Sequence, residues 1–377
     1  MVASLDTARA AAAGPWAPLP ALDDGDRRRV AALVARYGAD ALCHVHLHPD
    51  RSYLFAPDGD GFVSYALDRR VALLGGDPVC APEALPRLAA HALRAFAGRG
   101  LAVCVVGASA DAARAYVAGG LHAVKLGEEA IIDLPAFDAA RLRPKVRRAA
   151  RHVAAHGVTL HAGTMAGLDP ALTAQCPTVA RAWLAGHGGA LQGFSMTSGP
   201  VPGPADTAYR VVVAARAGRV LGFITLAPVP AARGLSLDHM RRLPDGPNGL
   251  MEALIIHAAA AARDAGDATL SLNFAPFCDE ERPEGEGATI RALRRAVFKH
   301  APDVPARALY LFNRKFAPRW ACRYWLYGGK REVYAACRAT LRGELARAPL
   351  PPALAAAALA APLLALPDRW VRPALAR

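Results

Sequence analysis

Apolar residues recur at helical spacing from Asp24 to Gly38, and Gly38 supplies the stop. The pattern then shortens. In ALCHVHLHPDRSYLFAPDGDGFVSYALDRRVALLGGDPV the clusters PD, PDGDG, LDRR and GGDP separate brief alternating runs, which predicts an antiparallel meander. A helix over Ala84–Gly98 follows, then the buried strand LAVCVVGAS. Ser109 ends that strand and can cap a helix from about Ala110 to Gly119. HAVKLGEEAIIDL closes the first half as a strand.

Residues 138–156, DAARLRPKVRRAARHVAAH, are helical and basic, with Pro144 suited to a first turn. Arg141, Arg143, Lys145, Arg147, Arg148 and Arg151 cannot share one face, so the helix is expected to be basic around much of its circumference. After Gly157 the pattern restarts. VTLHAG reads as a strand and is followed by helical stretches to Gly186. Tyr209–Ala215 and Arg219–Pro228 are strands joined by the turn ARAG. A charged turn, a helix over Leu250–Ala265 and the strand ATLSLNF come next. The shared order of helix, meander, helix and strand predicts an internal structural repeat. The fold class is α/β (α+β). The expected divisions are a loose arm (1–22), a first unit (23–136), a basic linking helix (137–157), a second, catalytic unit (158–330) and a helical tail (331–377).

Composition narrows the partners. A chain of 377 residues, 53% hydrophobic, suits about two globular units and excludes global disorder. A net charge of +13 favours a polyanion, either nucleic acid or an anionic membrane surface. A genome rich in G and C would produce the same Arg and Ala excess, so charge alone leaves both open. The seven cysteines show no C-x-x-C pair, which excludes a zinc ribbon and argues for buried thiols. No secretory signal opens the chain, and no stretch reaches a membrane span. The nearest is ALAAAALAAPLLALP (353–367), read as a packed terminal helix rather than a membrane-touching one.

Candidate chemistry is sparse. His44, His46 and His48 alternate and would share a strand face, where they could hold zinc. No carboxylate or thiol cluster supports that, so an ordinary strand face is favoured. GFSMTSG (193–199) is not a nucleophile elbow, and no phosphate loop or dinucleotide fingerprint is present. GRVLGFITLAP (218–228) is a turn into an apolar strand of the kind that precedes the coenzyme A loop in GNAT acetyltransferases. DHMRRLPDGPNGLM stands where that loop would be. There Asp238, Arg241 and Arg242 follow a strand edge, and Asn248 or Gly249 caps the next helix, whose free N–H groups could hold an anion or oxyanion. Such a segment is equally readable as a polar surface turn. FNRKFAPRWACRYW (312–325) interleaves Arg314, Lys315, Arg319 and Arg323 with aromatics, which suits phosphate contact with base stacking or lipid headgroups, or else an amphipathic edge.

Seven motifs in order resemble the cytosolic catalytic domain of bacterial phosphatidylglycerol lysyltransferases, the multiple peptide resistance factor family. They are DGFVSY–GGDPV (60–79), LGEEAIIDL (126–134), the basic helix, GFSM (193–196), LSLDHMR–PDGPNGLMEALI (235–255), LNFAPF (272–277) and KFAPRWACRYW (315–325). The resemblance implies two tandem GNAT-like domains joined by a basic helix. It implies transfer of an amino acid from aminoacyl-tRNA to the hydroxyl of an anionic membrane lipid, with no cofactor or metal. Asp238 and Arg241 would be catalytic. Arg147, Arg148, Lys315, Arg319 and Arg323 would bind tRNA or lipid phosphate, and Asn248 and Gly249 would form the anion site. It further implies a cytoplasmic enzyme, peripheral to the inner face of the plasma membrane. Full-length members carry a multi-span flippase domain that this chain lacks, so a separate flippase is an expected partner. Two alternatives remain at this point: an N-acyltransferase using an acyl thioester, and a non-catalytic tRNA- or membrane-binding protein.

Overall fold

The computed structural model describes residues 24–48, 51–186, 200–281, 295, 306–329 and 331–345. The expected arm, the GFSM motif and the apolar stretch 353–367 lie outside them. The first helix is α1 (Asp24–Tyr37). The meander follows as β1 (Ser52–Phe55), β2 (Gly61–Asp68) and β3 (Val71–Gly75), with β4 (Val79–Cys80) paired to β2. Then come α2 (Leu85–Ala97), β5 (Ala102–Ala108), α3 (Ala110–Ala118) and the long β6 (His122–Asp133). Ser109 caps α3 as expected, its hydroxyl accepting from Ala112 N–H at 3.3 Å.

The basic helix is α4 (Pro144–Ala155), starting at the proline. It is not basic all round. Val146 and Val153 are buried and Ala150 packs beside them, while Lys145, Arg148 and Arg151 face solvent. The remaining elements are β7 (Thr159–Thr164), α5 (Pro170–Thr173), α6 (Cys176–Gly186), β8 (Arg210–Arg216), β9 (Arg219–Val229), β10 (Gly234–Arg242), α7 (Leu250–Asp264), β11 (Thr269–Pro276), α8 (Ala306–Asn313), β12 (Arg319–Tyr327) and α9 (Val333–Leu345).

Eleven of these strands form one continuous sheet in the order β1-β2-β3-β5-β12-β6-β11-β10-β9-β8-β7. The sheet crosses the expected boundary between units. β12, from the end of the second unit, inserts between β5 and β6 of the first. The order repeats outward from the antiparallel β12–β6 pair. On one side β5 lies parallel to β3, and on the other β11 lies parallel to β10. Each parallel pair is joined through a helix, α2 or α7, as a parallel crossover requires.

Strand alternation buries both faces. In β3, Ala72 and Leu74 pack toward α2, while Val71 and Leu73 pack toward α9. In β8, Val212 and Ala214 join α7 and α4, while Val211 and Val213 join α6. Chemistry is therefore left to the strand ends and to irregularities in the ladder. Among the described residues, no helix is long and apolar enough to cross a membrane.

Candidate active site

The charged residues after LSL do not form a turn. They continue β10 as far as Arg242, and only residues 243–249 turn. The strand is nevertheless irregular at one point. Leu237 pairs with Leu226 and Met240 with Ile224, so Asp238 and His239 together oppose Thr225. Such a bulge re-aims side chains that a regular ladder would send to fixed faces. Thr225 anchors it: its Oγ1 accepts from His239 N–H at 3.0 Å and donates to Asp238 Oδ2 at 3.2 Å. His239 Nδ1 lies 2.9 Å from the same carboxylate oxygen.

The sheet opens at the bulge. β10 and β11 pair only from Gly234–Thr269 to Ser236–Ser271. Asn273 then takes a positive φ of 68°, and β11 turns away along β6. Its Nδ2 donates across the opening to the Leu237 carbonyl at 3.2 Å, and its Oδ1 accepts from Phe274 N–H at 2.9 Å. Asn tolerates this left-handed backbone better than most residues.

The other side of the opening comes from the first half. Residues 43–47 form a 3-10 helix rather than the expected strand, and His44 and His46 are buried. His44 Nδ1 lies 3.1 Å from the Ala41 carbonyl, which can only accept, so that nitrogen carries the proton. Nε2 is then an acceptor, and it faces Asp238 Oδ1 at 3.7 Å. Two acceptors at this distance suit an ammonium lying beside both, or a hydroxyl that donates to one of them. Burial keeps the His44 pKa below its ordinary value despite the pull of Asp238, so the imidazole is neutral at pH 7. His46 is also held neutral, its pKa lowered to about 3 by burial and by Arg51; its Nδ1 lies 2.6 Å from Ser64 Oγ. The triplet therefore lines no strand face: His44 and His46 lie inside the 3-10 helix, their Nδ1 atoms set on the Ala41 carbonyl and Ser64.

Arg241 lies two residues beyond the bulge, its guanidinium 4.1 Å from the centre of the Trp183 ring on α6. Burial lowers its pKa, and Asp238 opposes the shift. Asn248 and Gly249 are further off. Asp238 and Arg242 are four strand steps apart, roughly 13 Å before the turn begins. Gly249 has φ 90°, and a Cβ there would lie 2.8 Å from the Ala149 carbonyl of α4. The helix start is thus packed under the basic helix and does not border the carboxylate.

The expected phosphate ligands divide. Arg148 is exposed on α4, and Arg147 beside it is half-buried with no hydrogen-bond partner for Nε. Lys315 pairs with Glu252 in the first turn of α7 at 2.7 Å. These three flank the same helix start. Arg319 is exposed at the beginning of β12. Arg323 is different: it is buried in the seam, bound to Glu129, to Asp40 at 2.6 Å and to the Gly107 carbonyl at 3.2 Å. Burial works against its charge, but Asp40, Glu129 and Asp77 more than offset it and raise its pKa. Its guanidinium is committed to the fold rather than open to a phosphate. A cavity of about 10 Å³, room for roughly one water, lies between Arg323, Glu129, Leu42, Gly107, Asn273 and Phe274.

Residues 31–327 match the family model described as phosphatidylglycerol lysyltransferase, C-terminal. The chain belongs to that family. Similar relatives include the lysylphosphatidylglycerol biosynthesis bifunctional protein LysX of Nocardia farcinica, 35% identical over 300 residues, and that of Rhodococcus opacus, 33% identical over 323. The matches span 78% and 83% of this chain but only 26% and 28% of those relatives. Among solved structures, the C-terminal domain assigned to a lysylphosphatidylglycerol synthetase from Agrobacterium fabrum aligns with TM-score 0.70 and 24% identity, covering 84% of this chain and 96% of that one. L-PGS from Bacillus licheniformis aligns with TM-score 0.68 and 22% identity, covering 81% and 92%. These two likenesses concern the fold. Within the family domain, sequence reading picked out Asp238 and Arg241 but not His44, Thr225, Trp183 or Asn273 as their neighbours. A histidine 194 positions upstream of an aspartate carries no local signal of contact.

Proposed function

We infer that the chain transfers an aminoacyl group from aminoacyl-tRNA to the hydroxyl of an anionic lipid of the phosphatidylglycerol kind. Membership of the family supports the transfer and the lipid. The observation that carries the site is Asp238, displaced by a bulge into the opening between β10 and β11 and faced by the bare Nε2 of neutral His44. The acceptor hydroxyl lies beside the two, within reach of either. As its oxygen attacks the ester carbonyl, its proton passes to this pair; when the tetrahedral intermediate collapses, the proton returns to the departing 3′-ribose oxygen of the tRNA. The ester is already activated, so no covalent enzyme intermediate and no cofactor is required. Arg241, stacked on Trp183, holds a phosphate near the reacting end. Arg147, Arg148, Lys315 and Arg319 supply further positive charge toward the polyanionic donor or the bilayer. On this reading the protein works at the inner face of the plasma membrane. An acyl-thioester donor is disfavoured, because α4 covers the helix start that would cradle a coenzyme pyrophosphate.

The test is direct. Purified protein, phosphatidylglycerol vesicles and a set of charged tRNAs are mixed, and the lipids are read by mass spectrometry. A lipid heavier by one aminoacyl residue is expected. Absence of any such product with every charged tRNA, alongside product from an acyl thioester, would overturn the reading.

A further inference from the structure

The geometry points to a second, separate RNA contact: a groove between the β2–β3 turn and α9 that grips the phosphate backbone of the RNA partner far from its reacting end. This inference takes the RNA to be the tRNA donor proposed above. The groove has a volume of about 600 Å³ and is lined by Arg69, Arg70, Arg331 and Arg338, with Leu101 and Ala335 among its apolar surface. Arg342 joins Arg338 on Asp68, at 3.2 and 2.9 Å. Five arginines thus meet two nearby carboxylates, Asp68 and Glu332. The pairs to buried Asp68 fix α9 against the turn. Arg70 is held by the Gly100 carbonyl. Arg69 and Arg331 are exposed on the two rims. Forked guanidinium groups on a fixed frame suit phosphate oxygens.

Position selects the ligand class. The groove lies at the first residues of β3 and β5, whereas Gly107 and the cavity beside Arg323 lie at the last residues of β5. Five strand steps then separate β3 from β10. At about 4.8 Å per step and 3.3 Å per residue, with about nine residues of rise along the strands, the groove is more than about 30 Å from Asp238. A single lipid headgroup whose hydroxyl reacts at Asp238 cannot reach it. A nucleic acid presents phosphates continuously over that distance. Tyr334, 57% exposed on α9, adds an aromatic face beside the arginines on which a base can stack. The groove joins residues inside the family match, Arg69 and Arg70, to α9, which begins beyond residue 327.

The variant pair Arg69→Asn with Arg331→Gln removes the two rim charges and leaves the Asp68 pairs intact. Asn is chosen at 69 because that residue has φ 53°. Binding of an uncharged tRNA transcript to the full chain is measured as a function of salt, with a thermal melt as the folding check. The expected result is about 10-fold weaker binding at moderate salt and a salt slope smaller by about 1 to 2, since each lost phosphate contact removes about 0.7 to 0.9 from it. Binding to phosphatidylglycerol vesicles stays unchanged. Unaltered tRNA affinity and slope would overturn the inference, as would a loss of vesicle binding with tRNA binding intact. Should the parent bind tRNA through the groove yet make no aminoacyl lipid, the groove stands and the transfer reading falls.

Discussion

Two corners of the sheet have the same construction and opposite fates. In the first, β3 runs parallel to β5, and Gly107 turns β5 with φ 77°. In the second, β10 runs parallel to β11, and Asn273 turns β11 with φ 68°. The first corner stays shut. Its strands pair to Gly75 and Val106, and Gly76 N–H adds a bond to the Val106 carbonyl at 2.9 Å. Leu42 fills the space over Gly107, and Asp40 lies against Gly76 and binds Arg323. The second corner parts after Ser236, and the Asn273 side chain spans it. The segment that plugs the first corner continues into His44, which faces the second. One corner became a buried ionic lock, and the lock holds a histidine against the carboxylate of the other.

The contrast is broken most severely at Asp238. Asp238→Asn keeps the shape of the bulge but not the proton acceptor, and transfer to vesicle lipid is expected to fall by about 10² to 10⁴. Its melting temperature should stay close to the parent's; an active Asp238→Asn enzyme would move the chemistry elsewhere. At the closed corner the largest effect is on stability instead. Arg323→Met leaves Asp40 and Glu129 buried without their cation, and urea unfolding should show a loss of about 3 to 5 kcal/mol.

The two turning residues sharpen the comparison. Gly107→Ala forces a left-handed backbone on alanine with Leu42 only 3.0 Å from the new carbon, and should cost about 1 to 3 kcal/mol. Asn273→Gly keeps the left-handed conformation and removes only the strap. Its stability should change by less than about 1 kcal/mol, while turnover falls several-fold. Equal effects of the two on turnover would remove the distinction between a structural and a chemical corner.

The smallest effect is one of pH. The carboxyl of Asp77 lies inside the first corner, accepting from Ser109 N–H at 2.8 Å. Burial, and then Asp40, raise its pKa to about 7. Below the ordinary carboxylate range both folded and unfolded chains hold the proton. Between there and pH 7 only the folded chain does, so this group's stabilisation is lost as pH rises through 7. Asp77→Asn cannot ionise. Its melting temperature relative to the parent should therefore rise between pH 5 and 8, and a constant difference would exclude the effect.

Much of the fold was legible in the chain. Ser109 and Pro144 marked helix starts, and the turn ARAG marked the junction of β8 and β9. These features are local: a cap, a ring closure and a tight turn act within a few residues. Asp238 and Arg241 were legible too, through seven motifs in order rather than through local chemistry. The chain did not reveal that β12 crosses into the first half, because strand partners are chosen by long-range packing. For the same reason Arg323 looked like one more cation in a basic, aromatic run, although its partners Asp40 and Glu129 lie far away in sequence. The histidine triplet misled because alternation suggests a strand, whereas the segment is wound into a 3-10 helix that fills a corner. Sequence alone determined most of the elements and the family, and it pointed to Asp238 and Arg241. Tertiary structure decided which corner opened, because a bulge and a plugging segment act only once strands distant in the chain lie side by side.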